Sequence, residues 1–400
     1  MAWILGVGHS RFGQRLDTDF ATLAREAVEA ALDDAGLRPE LGLIAFGSCS
    51  MATWGQANLR GQVALEPLLR EGLLPEGTPI VNVEGACATG SLALHAAVQA
   101  VEAGAAYALA VGVEKVWQAD PAAMLALYAT GADQLDPDRA RRHVAAECAR
   151  TGLELRPDPR RVLFVDLHAL QARRHAALRG TPVEALAAIA AKNHAQGRLN
   201  PNAAAARDLT LAAALADKPI VAPLTRAMCS GPADGAAAVL VGRAPQPRAA
   251  RVRAIGLATG RWRTLDEEDA GAVAGRRAFQ AAGMVPADVD VAELHDATSA
   301  CELQASEQLG LCEDGARMAL DGATARDGER PLNPSGGLVS RGHPLAATGL
   351  AMIHELVAQL RGEAGPRQVR RPASVALAHN VGGMVGVDHA VGVVTLLTSD

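Results

Sequence analysis

Two stretches of this 400-residue chain, 259 residues apart, begin alike. CATGSLALHAAVQAV (87–101) and AATGLAMIHELVAQL (346–360) share Ala-Thr-Gly, and His95 and His354 match at the same offset. Both read as helices opening on small residues. A repeated helix start constrains the fold strongly, because it calls for two similar halves with equivalent elements. The surrounding order agrees. Strand-like WILGVG (3–8) and helix-like ATLAREAVEAALDDAG (21–36), with Gly36 as its stop, recur as RVRAIGL (251–257) and AGAVAGRRAFQAAG (270–283). LIAFGS (43–48), TPIVNVE (78–84) and AYALAVGV (106–113) read as further strands, and the alternation predicts a largely parallel α/β sheet.

Within the first half the pattern changes. Residues 115–205 gather arginines and prolines (DPDRARRH, RPDPRR) around helical stretches such as VEALAAIAAKNHA (183–195), as expected for an inserted helical loop domain. VAPL (221–224) and AAAVLVG (236–242) then return the chain to the sheet, and RAPQPRAARVR (243–253) resembles a junction. The expected division is a first half over 1–245, carrying the 115–205 insertion, and a second half over 246–400.

Composition narrows the class. Hydrophobic residues are 49% of the chain but aromatics only 3%, so small residues carry the core and elements can approach closely. A net charge of −6 gives no general attraction for nucleic acid or anionic lipid. No uncharged apolar run reaches the roughly 18 residues of a membrane helix, and the start MAWILGVGHSRFG lacks a secretory pattern. Six scattered cysteines without a CxxC pair suggest neither a disulfide framework nor a zinc site, and a cytoplasmic location fits best.

Cys87 opens the first of the twin helices, between Ala86 and Ala88. A helix N-terminus offers unpaired amides and the positive end of the macrodipole, both of which favour a thiolate. Those amides can also hold a developing oxyanion. The alternative is a packed core cysteine. In the second half, NPSGGLVSRGHPLAATG (333–349) places His343 at the start of the matching helix, where it can act as general base toward Cys87. His295 ends VAELHD and His379 ends SVALAH, both at carboxyl ends of expected strands, where α/β sites form.

Together these residues resemble the thiolase superfamily, in particular the sterol-carrier-protein-type thiolases and their bacterial relatives. The resemblance runs from GVGHSRFG through VEGACATGSLALHAAVQAVEAG, KNHAQGRLNP and PLTRAMCSGPADGAAAVLV to ELHDAT, NPSGGLVSRGHPLAATG and HNVGG. It implies a thiolase-like five-layer αβαβα fold of two pseudo-equivalent halves, a homodimer at minimum, and acyl-coenzyme A chemistry with coenzyme A as cosubstrate and no permanent cofactor or metal. Cys87 matches the nucleophile that becomes acylated, and His343 the histidine that activates it. His295 takes the place of Asn in the Asn-Glu-Ala-Phe motif of ordinary thiolases and of His in the related His-Asp-Cys-Phe motif, and Ser230 matches a serine near the pantetheine. The amide of Cys87 and the Gly382–Gly383 turn match an oxyanion hole.

Ordinary thiolases carry a second cysteine where this chain has His379, and the sterol-carrier type carries one where this chain has Ala297. His379, then His295, are therefore the candidates for proton transfer to the departing enolate. The resemblance implies cleavage of a 3-oxoacyl-CoA, an aromatic substrate such as benzoylsuccinyl-CoA included. The alternatives are a condensing enzyme or C-acyltransferase, and a non-catalytic acyl-CoA-binding subunit. It also implies a small zinc-ribbon/OB-fold partner subunit.

Overall fold

A computed structural model describes residues 1–399 except 156, 157 and 159, so the RPDPRR run lies partly outside the described residues. The chain opens with β1 (Ala2–His9), α1 (Phe20–Ala35), β2 (Leu43–Gly47), α2 (Arg60–Arg70), β3 (Ile80–Val83), α3 (Thr89–Glu102) and β4 (Tyr107–Glu114). Five helices follow: α4 (Pro121–Ala129), α5 (Pro137–Thr151), α6 (Leu163–Arg179), α7 (Val183–Gly197) and α8 (Leu211–Ala216). A short ribbon, β5 (Pro219–Val221) and β6 (Leu224–Thr225), leads to β7 (Gly235–Gly242). The remainder comprises β8 (Ala250–Thr259), α9 (Ala270–Ala282), β9 (Val291–Leu294), α10 (Ser299–Gln308), α11 (Gly315–Leu320) and α12 (Gly337–Arg341). The chain closes with α13 (Leu345–Arg361), β10 (Val375–Val385) and β11 (Asp388–Thr398).

Nine strands form one hydrogen-bonded sheet in the order β3-β2-β4-β7-β1-β8-β11-β10-β9. Its two halves meet at a short pairing of β1 with β8, Ala2–Ile4 against Ala250–Val252. The expectation of a largely parallel sheet is corrected. Parallel pairing holds for β2 with β3 and β4 and for β9 with β10, whereas the five other neighbouring pairs are antiparallel. VAPL, expected in the sheet, belongs instead to the separate β5–β6 ribbon.

Side-chain alternation divides the core into layers. On β7, Ala237, Val239 and Val241 face a central core shared with α3 and α13, while Ala236, Ala238 and Leu240 face an outer core shared with α1. In the second half, Ala376 and Ala378 of β10 join the central core, and Leu377 packs outward with Ala274 and Ala278 of α9. The sequence of layers is helix, sheet, helix pair, sheet, helix. The two outer helices are built alike. Asp19 caps α1 and Asp269 caps α9 through backbone amides, and each ends at a left-handed glycine, Gly36 and Gly283.

The central pair crosses at its duplicated glycines. A Cβ on Gly90 would lie 2.5 Å from the carbonyl oxygen of Ala346, and one on Gly349 would lie 2.8 Å from the amide nitrogen of Ser91. The repeated Ala-Thr-Gly therefore lets backbone meet backbone, which sets the two helix starts side by side.

Candidate active site

Cys87 sits on a tight turn between β3 and α3. A 3-10 turn over Ala86–Ala88 precedes the α-helix, and Ala86 takes a left-handed φ of 50°. Such a backbone costs on the order of 1 kcal/mol and persists only where neighbours fix it. Here Gly85 donates its amide to Thr89 Oγ1 at 2.9 Å, and Cys49 Sγ donates to the Ala86 carbonyl at 3.2 Å. Buried Glu114, at the end of β4, accepts from the amides of Cys49, Ser50 and Ala346, tying both halves to the turn.

The helix-start argument predicts a favoured thiolate, and the structure corrects it. Burial, then the nearby Glu114 carboxylate, push the Cys87 thiol up to about 12, outweighing the amides of Gly383 and Cys87 that reach its sulfur. The resting group is a thiol.

His343 approaches from the other half. Its Nδ1 lies 2.7 Å from Thr348 Oγ1, and that hydroxyl donates to the Pro344 carbonyl at 3.0 Å. With its proton committed to Pro344, the hydroxyl can only accept, so the His343 proton resides on Nδ1. Nε2, buried and without a hydrogen-bond partner, keeps its lone pair. Burial, then Arg341, lower this imidazole to about 3.

His295 carries the opposite tautomer. Ser91 Oγ donates to Asn380 Oδ1 at 2.9 Å, and Asn380 Nδ2 donates to His295 Nδ1 at 2.9 Å. The ring proton is thereby left on Nε2. The rings of His295 and His343 stand edge to face with centroids 5.1 Å apart. One ligand atom each from Cys87, His295 and His343 lie within 4.8 Å of one another, close enough to share a reacting group.

A buried polar frame beneath explains the NPSGG and KNHAQG stretches. Asn193 on α7 donates to Asp296 at 2.8 Å and to Glu302 at 2.7 Å, and Lys192 donates to Glu302 at 2.5 Å. Asp296 in turn accepts the Leu338 amide at 2.6 Å, and Ser335 is held by Glu293 through its amide and hydroxyl. Both histidine-bearing segments therefore rest on one hydrogen-bonded network.

Ser230, Gly382 and Gly383 line the same pocket as Cys87, His295 and His343. Gly382 and Gly383 do not form the expected turn. They belong to β10, with φ of +61° at Gly383, and a Cβ on Gly382 would lie 2.8 Å from the Cys87 amide nitrogen. His379 is the expectation that the geometry does not support. It lies on the opposite face of β10, where a Cβ on Gly271 of α9 would sit 2.4 Å from its Nε2, and it is outside the pocket wall. A strand alternates its side chains, so the inward neighbour is the next residue, Asn380. The histidine signature was legible; which face it served depended on sheet register.

Two histidines without a sequence signal complete the wall: His168 on α6 and His389 on β11, with ring centroids 6.3 Å apart. Apolar Met124, Leu125, Phe164 and Val165, from α4 and α6, close the other side of a cavity of about 180 Å³. Cys87 is the one cysteine on this wall among the described residues.

A thiol, an imidazole lone pair and an imidazole N–H converging between duplicated halves define a protein equipped for acyl transfer. Comparison with known proteins agrees. Residues 4–210 match the model for the thiolase N-terminal domain, and residues 258–395 match the thiolase C-terminal domain-like model. The chain belongs to the thiolase family and is an acyltransferase. It is 36% identical to acetyl-CoA acetyltransferase of Methanothermobacter thermautotrophicus, covering 96% of each chain. It is 35% identical to sterol carrier protein 2 of Rattus norvegicus, over 95% of this chain and 69% of that protein. It is 30% identical to benzoylsuccinyl-CoA thiolase subunit BbsB of Thauera aromatica, over 95% and 94%. Among solved structures, an Ltp2-ChsH2(DUF35) aldolase shares the fold with a TM-score of 0.74 at 22% identity, covering 100% of this chain and 98% of that one. A monomeric SCP2-thiolase like protein type 1 of Mycobacterium smegmatis does so with 0.66 at 19%, covering 100% and 77%. No helix among the described residues is long and apolar enough to cross a membrane.

Proposed function

We propose that this acyltransferase works through an acyl-Cys87 thioester, cleaving a 3-oxoacyl-CoA with free coenzyme A. The observation that carries the reading is the meeting of the Cys87 sulfur with the His343 and His295 rings within 4.8 Å. His343 Nε2 takes the thiol proton as sulfur attacks the keto carbon. The Cα–Cβ bond breaks, leaving the acyl group on Cys87 and an acyl-CoA enolate whose thioester oxygen accepts from His295 Nε2–H. The amides of Cys87 and Gly383 reach the sulfur and suit the oxyanion of the tetrahedral intermediate. The enolate carbon then takes a proton, and coenzyme A thiol, giving up its own, removes the acyl group from Cys87. His343 returns its proton to the sulfur.

A second reading, the same chemistry run as condensation, is favoured by a pocket wall that carries several imidazoles and, among the described residues, no cysteine besides Cys87. Apolar walls from α4 and α6 suit a bulky acyl group, and the kinship with a benzoylsuccinyl-CoA thiolase supports an aromatic one. That relative's description as a subunit, together with the DUF35 companion of the aldolase structure, supports a small partner chain.

The test is intact-protein mass spectrometry after adding acetyl-CoA or benzoyl-CoA. A single acyl adduct is expected on the wild type and none on Cys87→Ala. An unmodified wild type, or an adduct surviving in the variant, overturns the proposal. Assay with and without free coenzyme A then separates cleavage from condensation.

A further inference from the structure

The acyl-cysteine reading leaves one proton without a donor, the one delivered to the enolate carbon. His343 holds the proton from Cys87, His295 is committed to the thioester oxygen, and His379 faces away. The pocket wall offers two more imidazoles, and they are not equivalent. In both rings Nδ1 is buried without a hydrogen-bond partner. His389 has a carboxylate behind it, with Asp269 Oδ2 3.5 Å from its Nδ1. Among the pocket histidines described, His343 is backed by a hydroxyl and His295 by an amide, so His389 is the one backed by an anion.

Register puts the His389 ring on the Cys87 side. Val391, two residues along β11, has its Cγ2 3.6 Å from where a Cβ on Gly85 would stand, whereas Gly392 faces Ala270 of α9. Residues 389 and 391 share a face, and it is the face of the nucleophile turn. Asp269 is held in place as the N-cap of α9, accepting the Ala272 amide at 2.8 Å. Burial pushes its carboxyl upward, but contacts with His389 and Arg263 outweigh this and hold it below the usual carboxylate range.

We propose that His389, oriented by Asp269, is the second acid–base of the reaction, exchanging a proton with the α-carbon of the acyl-CoA, the role that a second thiol serves in ordinary thiolases. This rests on the acyl-Cys87 reading and completes it. In cleavage, the His389 imidazolium gives its proton to the enolate carbon and, now neutral, takes one from coenzyme A thiol. Proton counts on His343 and His389 both return to their starting values. In condensation the same nitrogen removes the α-proton. Asp269 is a positioning residue, fixing the ring. The other ionisable groups around the ring are His168 from α6, His379 from β10, His295 and His343 across the pocket, and Arg263 beside Asp269.

The experiment follows deuterium uptake at C2 of acetyl-CoA and propionyl-CoA in D2O by NMR, beside the adduct mass on Cys87. His389→Gln is expected to retain acylation of Cys87 while α-exchange falls about 100-fold, the scale of a lost general acid–base. His379→Gln exchanges at the wild-type rate. Asp269→Asn, which can still cap α9, lowers the exchange rate while acylation of Cys87 is retained, and Asp269→Glu restores part of it, which a purely structural cap would not do. Exchange by His389→Gln equal to wild type, or no exchange by wild type, overturns the assignment. An absent wild-type adduct instead overturns the acyl-cysteine reading, so the two failures are told apart.

Discussion

The pocket histidines owe their chemistry to what stands behind each ring. Thr348 decides that His343 offers a lone pair, because the threonine hydroxyl is spent on the Pro344 carbonyl and can only accept. Thr348→Val keeps the shape but strands the Nδ1 proton, so the ring loses its preferred tautomer. We expect kcat to fall about 10- to 100-fold with little change in KM, and Thr348→Ser to restore most of it. Equal kcat for the valine variant and wild type would refute the tautomer argument. At this scale the sequence was partly legible. Cys87, His343 and His295 carried recognisable contexts. Their orienting partners, Thr348 and Asn380, and the wall residues His168 and His389 did not, because their roles arise from pairings 5 to 289 positions apart along the chain. Cys87 misled in one respect. Its helix-start position predicts a thiolate, yet solvent exclusion and Glu114 prevail over the dipole.

At the scale of elements, helices were read more accurately than strands. The glycine stop of α1 and the starts of α3 and α9 fall within a residue or two of expectation, since caps and periodicity are local. Strand direction is not local. β7 is buried on both faces and β10 over nearly all its length, so neither shows the apolar–polar alternation that marks a one-sided sheet, and antiparallel neighbours passed for parallel ones. β11 went unread. The duplicated glycines were legible as a repeat and gain their physical reason from the crossing of α3 and α13. Gly90→Ala would drive its Cβ to 2.5 Å from the Ala346 carbonyl, a backbone atom that cannot turn aside. A loss of about 1–3 kcal/mol is expected in urea unfolding. A variant as stable as wild type would show that the helices can part at no cost.

At the scale of the whole molecule, the interior holds many neutral imidazoles. Burial lowers His168, His343 and His354 to about 3 and His379 to about 4. In the unfolded chain each titrates near 6.5, so the unfolded state binds more protons below that pH and gains on the fold. Each such group costs about 1 kcal/mol per pH unit, from about 6.5 down to its folded value. Glu293, raised by burial to about 7, acts in the opposite sense and offsets part of the loss. The urea midpoint is expected to drop steeply between pH 6.5 and 4.5, and less steeply in His354→Asn, which lies outside the pocket wall. A flat midpoint over that range would contradict it. The division into two similar halves was foreseeable from the repeat and the layers from the family resemblance, whereas the polar frame under the pocket was not, since its charges pair across elements that the sequence keeps apart. The crossing of the central helices has a mechanical consequence. Where main chain rests on main chain there is no rotamer to hop and no soft packing to take up slack. The sulfur and the imidazole, mounted on opposite sides of that seam, inherit backbone positions that leave little slack between them.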